Sequence, residues 1–383
     1  MQLSEYKKFT EISIIFAFST YLITPILSPY IKSLGLSNFQ LSLIFSLFPL
    51  SIIVFSPIFG GLSDVVGRKK IIKFGIIIEI IALLLYVHDQ SWVFIAVARV
   101  LDAFAATTVS LVTLSKVEDS LDNKGRGKYT GNYLSLIYAG RLFAPLIGAV
   151  VADMFFIKAP FFISIIILVG LFISLFREKD HKKYKVSIGL FNPLTEIKEF
   201  LSYKKLRGMG ILGMVMHAPG PAINVFLPLL IVEKMGLSIS FVGYAFFFLS
   251  ISHILQFEFG KIADKFSAWK MVLFGCLIYS LGFIFLSFPN NNFIILILIL
   301  FFMGTGTAMW NVSAWDFMSK VGEGVKKEGM VTTTYLSIAK IGAFFSFVFS
   351  GLIVTFFNTN ILFLINGLII LVGISSSYFF LKD

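Results

Sequence analysis

Gly60-Gly-Leu-Ser-Asp64-Val-Val-Gly67-Arg68-Lys69-Lys70 is a short basic loop set between two long apolar runs. A fainter copy, Gly260-Lys-Ile-Ala-Asp264-Lys265, stands two hundred residues later at the same kind of junction. A loop that recurs between apolar runs implies a duplicated chain built for lipid. Hydrophobic residues make up 57% of the 383 and charged residues 14%, with 45 Phe, against about 25% charged in soluble chains. Apolar stretches long enough to cross roughly 30 Å of hydrocarbon recur from end to end. In lipid every backbone group must be paired internally, so continuous apolar runs specify helices, and they lack the alternation of a barrel. The expected class is an all-α integral membrane protein.

Charge and turn residues divide the chain into twelve spans, near 10–31, 39–61, 71–88, 91–114, 129–152, 160–177, 207–232, 239–260, 270–288, 292–316, 331–357 and 359–381. The first run is too long for a cleavable leader and is expected to remain as a span. Cys276 is the single cysteine, so no intrachain disulfide can form. The net charge of +11 is a topology signal rather than a nucleic-acid footprint. With the N-terminus inside, 26 of the 32 Lys and Arg fall on the cytoplasmic side, three on the other and three within spans. That bias places both termini in the cytoplasm of a cell-membrane protein and favours contact with anionic lipid.

The organisation is a six-helix bundle at 1–177, a cytoplasmic linker at 178–206 and a second six-helix bundle at 207–383. Within the linker, Pro193-Leu-Thr-Glu-Ile-Lys-Glu-Phe-Leu suits a short helix on the membrane surface. The halves repeat in parallel: Gly35-Leu36-Ser37 matches Gly236-Leu237-Ser238, Gly60 and Asp64 match Gly260 and Asp264, and Tyr133-Leu134-Ser135 matches Tyr335-Leu336-Ser337. The offsets stay within 200–202 residues, which points to one duplication.

The Gly-x-x-x-Asp-x-x-Gly-Arg-Lys spacing resembles the signature loop of the major facilitator superfamily, between its second and third helices. That resemblance implies twelve transmembrane helices as two parallel six-helix repeats, with the site between halves near the midplane. Three further segments resemble its 12-helix drug:proton antiporter family. They are Thr24-Pro25-Ile-Leu-Ser-Pro29-Tyr30-Ile-Lys32-Ser-Leu34-Gly35 at the end of the first helix, Arg99 within the fourth, and Gly140-Arg141-Leu-Phe-Ala144-Pro145-Leu-Ile-Gly148-Ala149 in the fifth. In that family the fourth-helix arginine takes part in proton coupling and the fifth-helix motif is associated with export; here alanine replaces two of the motif's glycines.

In the loop, Gly60 and Gly67 allow close backbone approach. Asp64 is placed to meet a helix N-terminus near Thr332–Thr334, latching the halves, a contact worth about 0.3–1 kcal/mol. Arg68 is placed to pair with Glu118 or Asp119. Alternatively the loop serves only as a positive-inside anchor. The second copy has Ser267 where Gly67 would be, which puts its gating role in doubt.

Charges in mid-bilayer cost about 2.5–3.5 kcal/mol or more, so each needs a partner or a task. The set is Glu79, Arg99, Asp102, Arg141 and Lys340. Arg99 and Asp102 share a helix face, either as a proton-carrying pair facing the substrate path or as a fixed structural pair. Glu79 either neutralises Arg99 or Arg141 or carries protons. Arg141 and Lys340, aligned by the repeat with Tyr138 opposite Lys340, either face a cavity that favours anions or pair with acids, Glu79 or Asp102 for Arg141 and Asp316 or an acid across the interface for Lys340. Thr24, His217, Asn224, Asn311 and Trp315 complete the cavity candidates, with a helix break expected at His217-Ala-Pro219-Gly220-Pro221. His217 titrates near neutrality or is held structurally.

No nucleotide-binding loop, His-Glu-x-x-His pattern or nucleophile elbow occurs, so the chain is expected not to be an enzyme and to need no cofactor beyond a proton gradient. The leading expectation is proton-coupled efflux of small amphipathic compounds by rocking of the two halves. The alternative is uptake, by proton coupling or uniport, of a hydrophilic metabolite such as an organic anion or sugar. The first helix lacks a mid-span acid, which argues against lipophilic cations. Expected partners are a small-molecule substrate and the bilayer, with no nucleic acid and a monomeric state.

Overall fold

The computed structural model describes residues 3–88, 91–119, 126–176, 193–289, 291–325 and 328–382, and helices occupy nearly all of them. Eleven of these helices are long and apolar enough to cross a membrane, and Ile239–Leu255 is a shorter apolar one. The expected helical membrane class therefore holds. Several helices outrun the apolar stretches that revealed them: the first span begins at Ser4 and the tenth continues to Gly324. Hydropathy marks only the part in lipid, whereas intrahelical hydrogen bonding continues into the polar ends.

The chain divides into two compact units. Unit 1 comprises Met1–Leu36, Leu47–Phe191 and Ser238–Gly243. It contains α1 (Leu3–Leu22), α2 (Thr24–Ser33), most of α3 (Asn38–Val66), α4 (Arg68–His88), α5 (Trp92–Asp119), α6 (Arg126–Met154) and α7 (Ala159–Phe176). Pro25 at the start of α2 lacks an N–H, which separates α1 from α2 within one span. α4 packs along α5, and α1 along α6. Tyr30, from the first-helix Pro-x-Tyr motif, is buried and donates to the Tyr86 carbonyl at the end of α4.

Unit 2 comprises Ser37–Ser46, Asn192–Leu237 and Tyr244–Asp383. It contains α8 (Pro193–Ser202), α9 (Lys204–His217), α10 (Leu227–Leu229), most of α11 (Ile239–Ile251), α12 (Gln256–Phe266), α13 (Ala268–Leu286), α14 (Phe293–Val325), α15 (Glu328–Phe356) and α16 (Thr359–Leu381). The helix expected in the linker is α8; it packs on α9 and α15, with fully buried Phe200 beside Gly210 of α9. Thr334 on α15 donates to Glu196 on α8 at 3.4 Å. The break expected after His217 takes the form of two π-helical stretches, Ala222–Phe226 and Leu230–Lys234, on either side of α10. Pro219 and Pro221 remove donors there, and a π turn absorbs the lost register.

The duplication is visible in the backbone. Gly35 and Gly236, matched in the repeat, have φ of 83° and 66°. Gly67 has φ 101°, and Ser267, its counterpart, adopts φ 125° despite its Cβ. The second loop has lost the glycine but kept the turn.

Candidate functional site

One face of α4 buries Gly75, Glu79 and Tyr86. At Gly75 a Cβ would stand 2.7 Å from the Val109 side chain, so this glycine is what lets α4 lie close against α5. The close approach brings Tyr86 to Asp102, whose Oδ2 accepts from the tyrosine hydroxyl at 3.2 Å and from Arg99 Nη1 at 2.7 Å. The Arg99 guanidinium also lies over the Phe48 ring at 4.3 Å. Glu79 is fully buried and within electrostatic reach of Asp102 and Arg99. Neither of its carboxylate oxygens has a hydrogen-bond partner. Glu79 therefore does not pair directly with Arg99 or Arg141. The cluster holds two acids and one base. Further along α5, Thr113 turns inward and bonds its own helix, while Ser110 is exposed.

Arg141 on α6 is half-buried, and no carboxylate pairs with it among the described residues. Its guanidinium lies over the rings of Tyr21 on α1, at 5.0 Å, and Tyr138 one turn earlier on α6, at 5.7 Å. Its Nε is buried without an acceptor. Gly148, two turns along α6, makes the Tyr21 contact possible: a Cβ there would stand 1.9 Å from the Leu22 carbonyl oxygen. Two such ring contacts at a partly open site supply about 0.5–1 kcal/mol each. That is less than the roughly 2.5–3.5 kcal/mol cost of a cation at mid-bilayer.

In unit 2, His217 Nδ1 meets the Gly213 carbonyl at 3.0 Å and its ring stands edge-on to Trp310, centroids 5.6 Å apart. Lys340 lies within electrostatic reach of His217. Asp316 is bound instead by Lys320 at 2.7 Å, so the expected Lys340–Asp316 pair is replaced by one within a single turn of α14. Trp315 stands edge-on to Tyr335 at 6.0 Å. The Trp310 indole N–H and the buried Tyr335 hydroxyl have no hydrogen-bond partner. Asn224 donates to the Gly220 carbonyl, tying together the irregular stretch. Asn311 and Thr24 are half-buried, Thr24 as the first residue of α2.

In the basic loop, Gly67 is buried and begins the turn into α4, whose first residue is half-buried Arg68. The side chains of Gly60, Asp64, Glu118 and Asp119 lie outside the described residues, and so do the contacts expected of them. Among the described residues no group of three or more His, Cys, Asp or Glu is placed to hold a metal.

A sequence profile described as Major Facilitator Superfamily matches residues 12–327. The chain belongs to that superfamily. Among its relatives, the uncharacterized MFS-type transporter MJ1560 of Methanocaldococcus jannaschii is 27% identical over 293 residues, 75% of each chain. Quinolone resistance protein NorA of Staphylococcus aureus is 24% identical over 324 residues, 83% of this chain and 82% of its own. The fold matches the nucleoside transporter NupG at a TM-score of 0.79 and 13% identity, covering 98% of this chain and 99% of that one. A D-xylose-proton symporter matches at 0.74 and 15%, covering 100% and 98%. This facilitator is thus a multi-pass membrane transporter for a small molecule.

Sequence reasoning on this facilitator missed Tyr86 and Tyr21. The signal for Tyr86 was its position seven residues after Glu79, which puts both on one helix face. Tyr21 carried no signal of its own; its role depends on how closely Gly148 lets α1 approach α6.

Proposed function

We propose that this facilitator is a proton-coupled exporter of small amphipathic compounds, set in the cell membrane with both termini cytoplasmic. The observation that carries the reading is the buried α4–α5 cluster. With Glu79 and Asp102 both ionised, Arg99 leaves one negative charge uncompensated among the described residues, at a site where Glu79 is fully buried and Asp102 nearly so. An unpaired buried ion costs several kcal/mol, so the cluster is built to hold one more positive charge, and a proton is the smallest. Asp102 is the proton carrier, Arg99 and Tyr86 set its position, and Glu79 shares the charge. The relationship to NorA, a quinolone resistance protein, supports outward transport.

A second reading, uptake of a hydrophilic metabolite with a proton, is favoured by the absence of a mid-span acid in α1 and α2, where Glu11 sits toward the start of their shared span. Gradient direction separates the two. Proteoliposomes would be offered ethidium, dansylglycine and xylose with acid either inside or outside. Accumulation driven by internal acid is expected and marks exchange for a proton. Accumulation driven only by external acid would establish co-transport in its place.

A further inference from the structure

We infer that Arg141 is the recognition point for a carboxylate, so that the transported class is amphipathic organic acids bearing an aromatic ring. The inference deepens the proposed transport function and rests on it. Arg99 and Arg141 are the mid-span arginines, and among the described residues only the first has an acid: Asp102 at 2.7 Å. Arg141 meets aromatic rings instead, from Tyr21 and Tyr138, and among the described residues no carboxylate reaches it. Evolving an ion pair is a simple way to neutralise a structural cation; a cation kept without one is available to an outside anion.

The local construction fits that task. Gly148 presses α6 against the Leu22 backbone, which fixes the adjacent Tyr21 ring over the guanidinium. With the Tyr21 ring at 5.0 Å and the Tyr138 ring at 5.7 Å, the guanidinium is held by aromatic contacts, and its fork of N–H donors matches the two oxygens of a carboxylate. The neighbouring tyrosine rings offer a surface for an aromatic ligand ring. An anion leaving a cell with a negative interior also moves with the membrane potential, which suits export.

The test compares dansylglycine with dansylglycinamide, which differ by one charge, by fluorescence titration of the purified full-length protein in detergent. The acid is expected to bind at least tenfold more tightly than the amide. Arg141→Gln should abolish that preference, and Arg141→Lys should retain part of it. Unchanged thermal midpoints would show that the variants are folded. Benzoate should displace the acid where equal chloride does not. Equal affinity for acid and amide, no binding of either at millimolar concentration, a preference that survives Arg141→Gln, or equal displacement by chloride would each overturn the inference. Asp102→Asn separates it from the coupling reading: the acid preference should survive there while proton movement is lost. An acid preference without proton movement in the native protein would remove the coupling and leave the carboxylate site standing.

Discussion

Asp102 is held by two donors on one oxygen, and the consequence is asymmetric. Removing one member of a buried pair strands the other charge, at about 3–5 kcal/mol, whereas replacing both members by apolar groups is often neutral. Asp102→Ala should therefore lower the thermal midpoint sharply, and the double variant Arg99→Met with Asp102→Leu should recover most of it. A double variant no more stable than the single one would mean that the pair is not the reason for the loss. Glu79 behaves differently, because neither oxygen has a hydrogen bond to lose. Glu79→Gln should leave the stability within about 1 kcal/mol of the parent, in the range of substitutions that break no interaction, and a large destabilisation would reveal a partner. Ser267 sits at φ 125°, where a Cβ costs on the order of 1 kcal/mol or more. Ser267→Gly should raise the midpoint, and Gly67→Ala, at φ 101°, should lower it. Opposite signs at matched positions would show that both loops need the same turn.

At the level of helices, the glycines are not equivalent. Gly148 faces the Leu22 carbonyl oxygen at a distance no Cβ can share, while Gly140 has ordinary space. Gly148→Ala should force α1 and α6 apart, cost about 1–3 kcal/mol or more as overpacking does, and weaken any binding that depends on Tyr21 lying over Arg141. Gly140→Ala should be close to neutral. Thermal midpoints with dansylglycine titration check both, and equal effects at the two positions would contradict the packing argument. The sequence motif presented these two glycines as one unit; only the approach of α1 distinguishes them. The Pro219–Pro221 segment was legible as a break from its missing donors, but its resolution into π turns was not. That outcome depends on how neighbouring helices hold the segment, as at Ser346, which donates to the Ala218 carbonyl.

For the whole molecule, the class of the protein was legible because lipid leaves the chain few options. Twelve apolar runs and three repeat matches in register carried most of the architecture. The Arg99–Asp102 pair was also legible, since a three-residue spacing on one helix is a local fact. The environments of Glu79 and Arg141 were not, because they are set by contacts between helices far apart in sequence: α4 with α5, α1 with α6. That is why a pairing of Glu79 with an arginine and of Lys340 with Asp316 looked reasonable on the sequence and is absent in the fold. The coupling itself is a property of the entire transport cycle. It is tested most directly by proton release from the purified protein in weakly buffered dye on addition of ethidium, dansylglycine or xylose, with Asp102→Asn alongside. Release with at least one ligand, abolished by Asp102→Asn while binding persists, is the expected result. Ligand binding with no proton release, or release that Asp102→Asn leaves intact, would contradict proton-coupled export through this cluster.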